Sequence, residues 1–181
     1  MLLRLQHSIL SSHGVRKSSI NNFNKKFNMA TRSCIIVKVR NSDVGTTQKY
    51  SDEKSKFPAS SWGDGGTDKC EEVKIEKSYI GVYCHWDGYP SGVGAALKVF
   101  ADTYERALNL VLGGGISFVY EEEFAHYANR NGEEWEYIKP IQGDTAIDVN
   151  TEVDEDYAYL FDEDNGGWKV LNKETNEFEN Y

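Results

Sequence analysis

The stretch Ser78-Tyr-Ile-Gly-Val-Tyr-Cys-His-Trp-Asp-Gly-Tyr-Pro-Ser-Gly-Val-Gly94 decides how the rest of the chain is read. Side chains alternate along a strand, so Ile80, Val82, Cys84 and Trp86 fall on one face and Tyr79, Tyr83, His85 and Asp87 on the other. The apolar set is expected in the core. The aromatic and polar set is expected to face a cleft, a partner or solvent. Asp87-Gly88 breaks the strand, Pro90 pre-sets a first helical turn, and Ser91 is placed to cap it. Val93, Ala96, Leu97 and Phe100 continue at helical spacing.

Working outward, Thr31 to Arg40 is β-branched and reads as a strand. Residues 41–72 are polar and contain Pro58 and Gly63, Gly65 and Gly66, which predicts a loop insertion between two paired strands. After the first helix, Asp102-Thr-Tyr-Glu105 has the form of a capping arrangement. Tyr104, Ala107, Leu108 and Val111 then make a second apolar stripe, stopped by Gly113-Gly-Gly115. Ile116 to Tyr120 reads either as a short strand or as a connector. Glu121 to Asn129 reads as a short helix, and Trp135 to Ile138 and Thr145 to Val149 as weak strands. Tyr157 to Phe161 and Trp168 to Leu171 are stronger strands, joined by a turn over Asp162 to Gly167. This order predicts an α+β fold: a mostly antiparallel sheet with two short helices packed on one face, in a single domain over residues 29–181.

Charge is unevenly spread. The net −9 comes from a basic, acid-free residues 1–29, a balanced middle, and residues 121–181, which hold eighteen acidic groups against four basic ones. An acidic half repels phosphate backbones, so direct nucleic-acid binding is not expected, though such a surface suits an acidic mimic of nucleic acid. Residues 1–28 have a composition that does not pack a core and are expected to be a disordered basic leader, with Met29 as an alternative start. No apolar run approaches the length of a membrane-spanning helix. Three cysteines without a C-x-x-C pair fit a reducing cytoplasm and argue against a disulfide framework or a cysteine-rich metal site.

The chemistry-bearing residues cluster in the opening stretch. Cys84 and His85 are neighbours on a strand and point to opposite faces, so they do not form a nucleophile–base dyad with each other; His126 is an alternative base, but no spacing demands it. Buried small hydrophobe is the expected role of Cys84. His85 and Asp87 share a face, and their expected role is a hydrogen bond that holds the turn; two ligands are too few for a metal site. Ser91, Gly92 and Gly94 open a helix and offer amides to an anion, without the lysine of a phosphate-binding P-loop. Tyr83, His85 and Tyr89 stand beside them to stack a base.

At Tyr83-Cys-His-Trp-Asp-Gly-Tyr-Pro90 the chain resembles a family of small, largely uncharacterised proteins of bacteriophages and bacterial mobile elements. Met29-Ala-Thr-Arg-Ser33, Leu112-Gly-Gly114 and the Tyr157 to Trp168 hairpin resemble the same family, so the likeness covers most of residues 29–171. Residues 1–28 and the 41–72 loop depart from it. The family implies no catalytic residue. The expectation that follows is a non-enzymatic phage-type accessory protein of the bacterial cytoplasm, without cofactor, that binds a host protein or a small ligand; the resemblance suggests interference with host defence. The binding surface is expected over Tyr83, His85, Asp87, Tyr89, Ser91, Gly92 and Gly94. The alternative is a small-molecule binder or hydrolase acting on a nucleotide signal, with phosphate at Ser91–Gly94.

Overall fold

A computed structural model describes residues 31–54, 70–120, 123–126 and 137–181. The expected leader, and residues 55–69 of the expected insertion, lie outside them. Strand β1 (Ser33–Lys38) occupies the middle of the sheet and pairs antiparallel with β4 (Tyr79–Cys84), Ser33 facing Cys84 and Lys38 facing Tyr79. Two short strands, β2 (Thr47–Gln48) and β3 (Val73–Lys74), pair with each other inside the connection between them.

The chain is α+β, but its sheet is mixed and not mostly antiparallel. From β4 it runs through α1 (Ala95–Phe100) and α2 (Tyr104–Leu112) into β5 (Ile116–Tyr120), which lies parallel to β4 at Cys84 and Ile116. The helical connection returns the chain beside the last residue of β4, and β5 runs on from there in the same direction, so the two strands are parallel. The second parallel ladder joins β1 to β8 (Tyr157–Asp162), from Ser33 opposite Tyr157 to Val37 opposite Phe161. Antiparallel pairing resumes outward through β9 (Gly167–Asn172) and β10 (Glu177–Asn180) on one side, and through β6 (Glu123–His126) beyond β5 on the other. Strand β7 (Ile141–Gly143) shares the outer edge of β4 with β5, pairing with Tyr79 to Gly81.

Among the described residues three helices cover the sheet, one more than the sequence predicts, and they lie on both faces. Residues Ala146–Val153 form α3, where a strand over Thr145 to Val149 is expected. The decisive local feature is a capping box: the Thr145 hydroxyl accepts from the Asp148 amide at 3.1 Å, and the Asp148 carboxylate accepts from the Thr145 amide at 2.9 Å. Capping satisfies two amide donors that a strand would not leave free, and it outweighs the modest strand propensity of the segment. Glu123–His126 is likewise a strand where a helix over Glu121 to Asn129 is expected, because β5 offers it a paired edge.

The two faces hold separate cores. Ile35, Val37, Ile80, Val82 and Cys84 pack against Val93 and Leu97 near α1 and Ala107, Leu108 and Val111 of α2. Cys34 and Ile36 pack against Ala146 and Val149 of α3, with Ala158 and Leu160. This explains the unbroken apolar run of β1, since a strand covered on both faces has no solvent side to mark. Gly81 is the close-packing point of the second face. A Cβ there would sit 2.6 Å from Val149 Cγ1 and 2.9 Å from the Ile35 carbonyl, so a side chain would lift α3 off the sheet.

Candidate functional site

Strand β4 delivers its C-terminal residues to one end of the sheet, where the N-terminal ends of β1 and β8 also lie. Tyr83 and His85 stay on the same face, as alternation predicts, and Tyr83 Oη is hydrogen-bonded to His85 Nδ1, the imidazole tautomer setting which group donates. The His85 ring meets Trp86 edge-on, with centroids 4.8 Å apart. Trp86 corrects the sequence reading. The strand ends at Cys84, alternation lapses with it, and Trp86 is 45% exposed where alternation predicts a core residue. A contiguous aromatic surface of Tyr83, His85 and Trp86 results.

Asp87 turns the chain through the left-handed region, with φ 59°. Aspartate tolerates that conformation better than most residues. Its carboxylate accepts from Tyr89 Oη at 3.1 Å, which holds the tyrosine hydroxyl above its usual pKa. The pairs formed are thus Tyr83 with His85 and Asp87 with Tyr89. The turn is also anchored from below. The Gly88 amide donates to the Thr31 carbonyl at 2.7 Å, and the Gly88 carbonyl accepts from the buried Tyr159 hydroxyl at 2.8 Å. A Cβ on Gly88 would come within 2.6 Å of the Arg32 backbone, and one on Gly92 would strike the Asp87 carbonyl.

Residues Pro90–Gly94 form a π-helical turn leading into α1, and its N-cap is Tyr89, without a side-chain bond; Ser91 is exposed and does not cap. Within the expected anion site, the amides of Gly92, Val93 and Gly94 are committed to the backbone. Gly92 donates to the Tyr89 carbonyl at 2.9 Å, Val93 to Asp87 at 2.8 Å, and Gly94 again to Tyr89 at 3.4 Å. Gly94 is buried beneath Tyr159 and Tyr181, and Tyr181 Oη donates to its carbonyl at 2.9 Å. Gly94 is therefore out of reach of solvent, whereas Ser91 and Trp86 are exposed and Tyr83, His85 and Gly92 are half-buried.

Cys84 and His126 do not meet, because Ile116 of β5 stands between them in the sheet. Burial pushes the Cys84 thiol up to about 12, and the thiol lies 3.6 Å from the Trp86 carbonyl. His126 is buried against Gly113 and Gly114, with Nδ1 3.0 Å from the Gly114 carbonyl and its ring edge-on to Tyr50; burial lowers its pKa to about 4. Among the described residues no group of three or more potential metal ligands converges.

A second polar cluster, at the opposite end of β1 and β8, has no local signal in the sequence. Arg40 places Nε and Nη2 on the two Glu163 oxygens at 2.7 and 2.6 Å and Nη1 on Glu105 at 2.7 Å, with its guanidinium 4.0 Å from the Tyr104 ring centroid. Tyr104 Oη donates to Asp43 at 2.6 Å. Nearby, Lys38 bridges Asp162 and Asp164. Cavities of about 290 and 200 Å³ flank Arg40. The guanidinium is bound on all three nitrogens, so the cluster acts as a brace between β1, α2 and the β8–β9 turn.

No helix among the described residues is long and apolar enough to cross a membrane. No protein-family model, no curated protein and no solved structure matches this chain.

Proposed function

We propose that the protein is a binding module, and that the turn after β4 presents its contact surface to a partner protein. One observation carries this reading: Trp86 is exposed on a turn that backbone bonds and steric closeness hold in one conformation. Exposed aromatic residues on pre-ordered backbone are the usual centres of binding energy, since little conformational freedom is lost on association. Tyr83, His85, Asp87 and Tyr89 surround it with groups able to stack and hydrogen-bond. The site lies at the carboxyl end of a strand that feeds a helical crossover, where α/β architectures commonly place ligands. The phage-type resemblance of the Tyr83 to Pro90 motif supplies the setting: the partner is a host protein inside the bacterial cell, and binding interferes with host defence. The engaged amides of Gly92, Val93 and Gly94 weigh against the nucleotide alternative.

The test is affinity capture from bacterial lysate with the parent chain and with Trp86→Ala, Tyr83→Ala and His85→Ala. The expected result is a discrete partner held by the parent and lost with Trp86→Ala. Equal recovery by parent and Trp86→Ala would remove the reading.

A further inference from the structure

We infer that the partner reaches this surface with a cation, an arginine-bearing segment whose guanidinium stacks on Trp86 and pairs with Asp87. The inference rests on the binding-module reading and adds the chemistry of the contact.

Two features lead to it. First, the ring surface is exposed and electron-rich at its faces, and an indole is the best aromatic partner for a cation. Second, the surrounding charge is negative. The backbone of Arg32 is a shared strut: Gly88 presses against it on one side, and its amide donates to the Asp156 carboxylate at 3.5 Å. Asp87 therefore borders the same end of the sheet as Asp154, Glu155 and Asp156, which lead into β8. Among the described residues, the charged groups that act on Glu155 are Asp154 and Asp156 against Arg32 and Lys173, the latter tied to the Glu155 carbonyl at 2.9 Å, and Asp87 adds a further carboxylate at this end. A cation gains from both the aromatic face and the carboxylates, whereas an anion meets net negative charge. Arginine suits the site better than lysine because its planar group stacks and offers paired donors to a carboxylate.

The probe is a capped hexapeptide of alternating arginine and glycine, with lysine and glutamate counterparts of equal length. Binding is read by titration and by the backbone and indole N–H resonances of the full chain. The arginine peptide is expected to bind and to shift the Trp86 indole resonance most. Trp86→Ala is expected to weaken it about tenfold. Asp87→Asn, which keeps a residue tolerant of the left-handed turn, is expected to weaken it severalfold. The lysine peptide should bind less tightly and the glutamate peptide not at all. Unchanged affinity in Trp86→Ala, or shifts confined to residues away from Trp86, would overturn the inference. Urea denaturation of each variant separates lost binding from lost folding. If Asp87→Asn keeps full capture of the lysate partner while Trp86→Ala abolishes it, the cationic inference falls and the binding module stands. If Trp86→Ala leaves capture intact, the binding module falls as well.

Discussion

The buried hydroxyl of Tyr159 donates to the carbonyl of Gly88 over 2.8 Å, so the middle of β8 holds the turn that follows β4. Its removal strips a buried acceptor of its partner. Tyr159→Phe is expected to lose about 1–2 kcal/mol of stability by urea denaturation. It is also expected to broaden or move the Trp86 indole resonance, because the turn then lacks its anchor. Loss of stability with an unmoved Trp86 signal would show that the turn is held from elsewhere.

Gly81 sets the distance between α3 and the sheet. Gly81→Ala places a methyl group where Val149 and the Ile35 carbonyl already sit, and overpacking of this kind costs about 1–3 kcal/mol. Pairing it with Val149→Ala should recover part of the loss. A double mutant no more stable than Gly81→Ala would place the strain in the backbone contact.

His126 makes stability depend on pH. Its folded pKa is about 4 against an ordinary 6.5, so between those values the unfolded chain binds a proton that the folded chain does not. Stability contributed by the neutral ring is full above pH 6.5 and is lost as pH falls toward 4. The loss should reach about 2 kcal/mol by pH 5, before most carboxylates titrate. The ring resonances of His126 should remain those of a neutral imidazole down to pH 5. A midpoint near 6.5 would contradict the burial.

The thiols of Cys34, Cys70 and Cys84 are all buried, and burial pushes Cys34 and Cys84 well above the usual thiol range. A disulfide-exchange reagent at pH 8 should label the folded chain slowly and label it fully in denaturant. Fast labelling of one cysteine in native buffer would identify a segment that opens.

Much of the fold is legible in the sequence where a signal is local. The runs of β1 and β4, the glycine stop after α2 and the turn between β8 and β9 all carry their own chemistry, and Ile80, Val82 and Cys84 are buried as alternation requires. Trp86 escapes that rule because the strand stops two residues earlier, which no residue type announces. The box of Thr145 and Asp148 was a readable helix signal, obscured by the β-branched and alternating residues around it. The parallel ladders follow from where crossovers land, which is decided by packing between distant segments. At the site, Tyr83, His85, Asp87 and Tyr89 could be named from one motif. Tyr159 and the acidic run before β8 could not, since β1 is what brings them to β4.

The position of β1 has a consequence for how the chain comes apart. Its two faces are sealed by helices that belong to different crossovers, and its two edges by strands far from it in sequence. Loss of either helical layer would wet the same strand, so the layers should stand or fall as one cooperative unit. Its amides should be among the slowest in the molecule to exchange with deuterated solvent, at rates that track global unfolding.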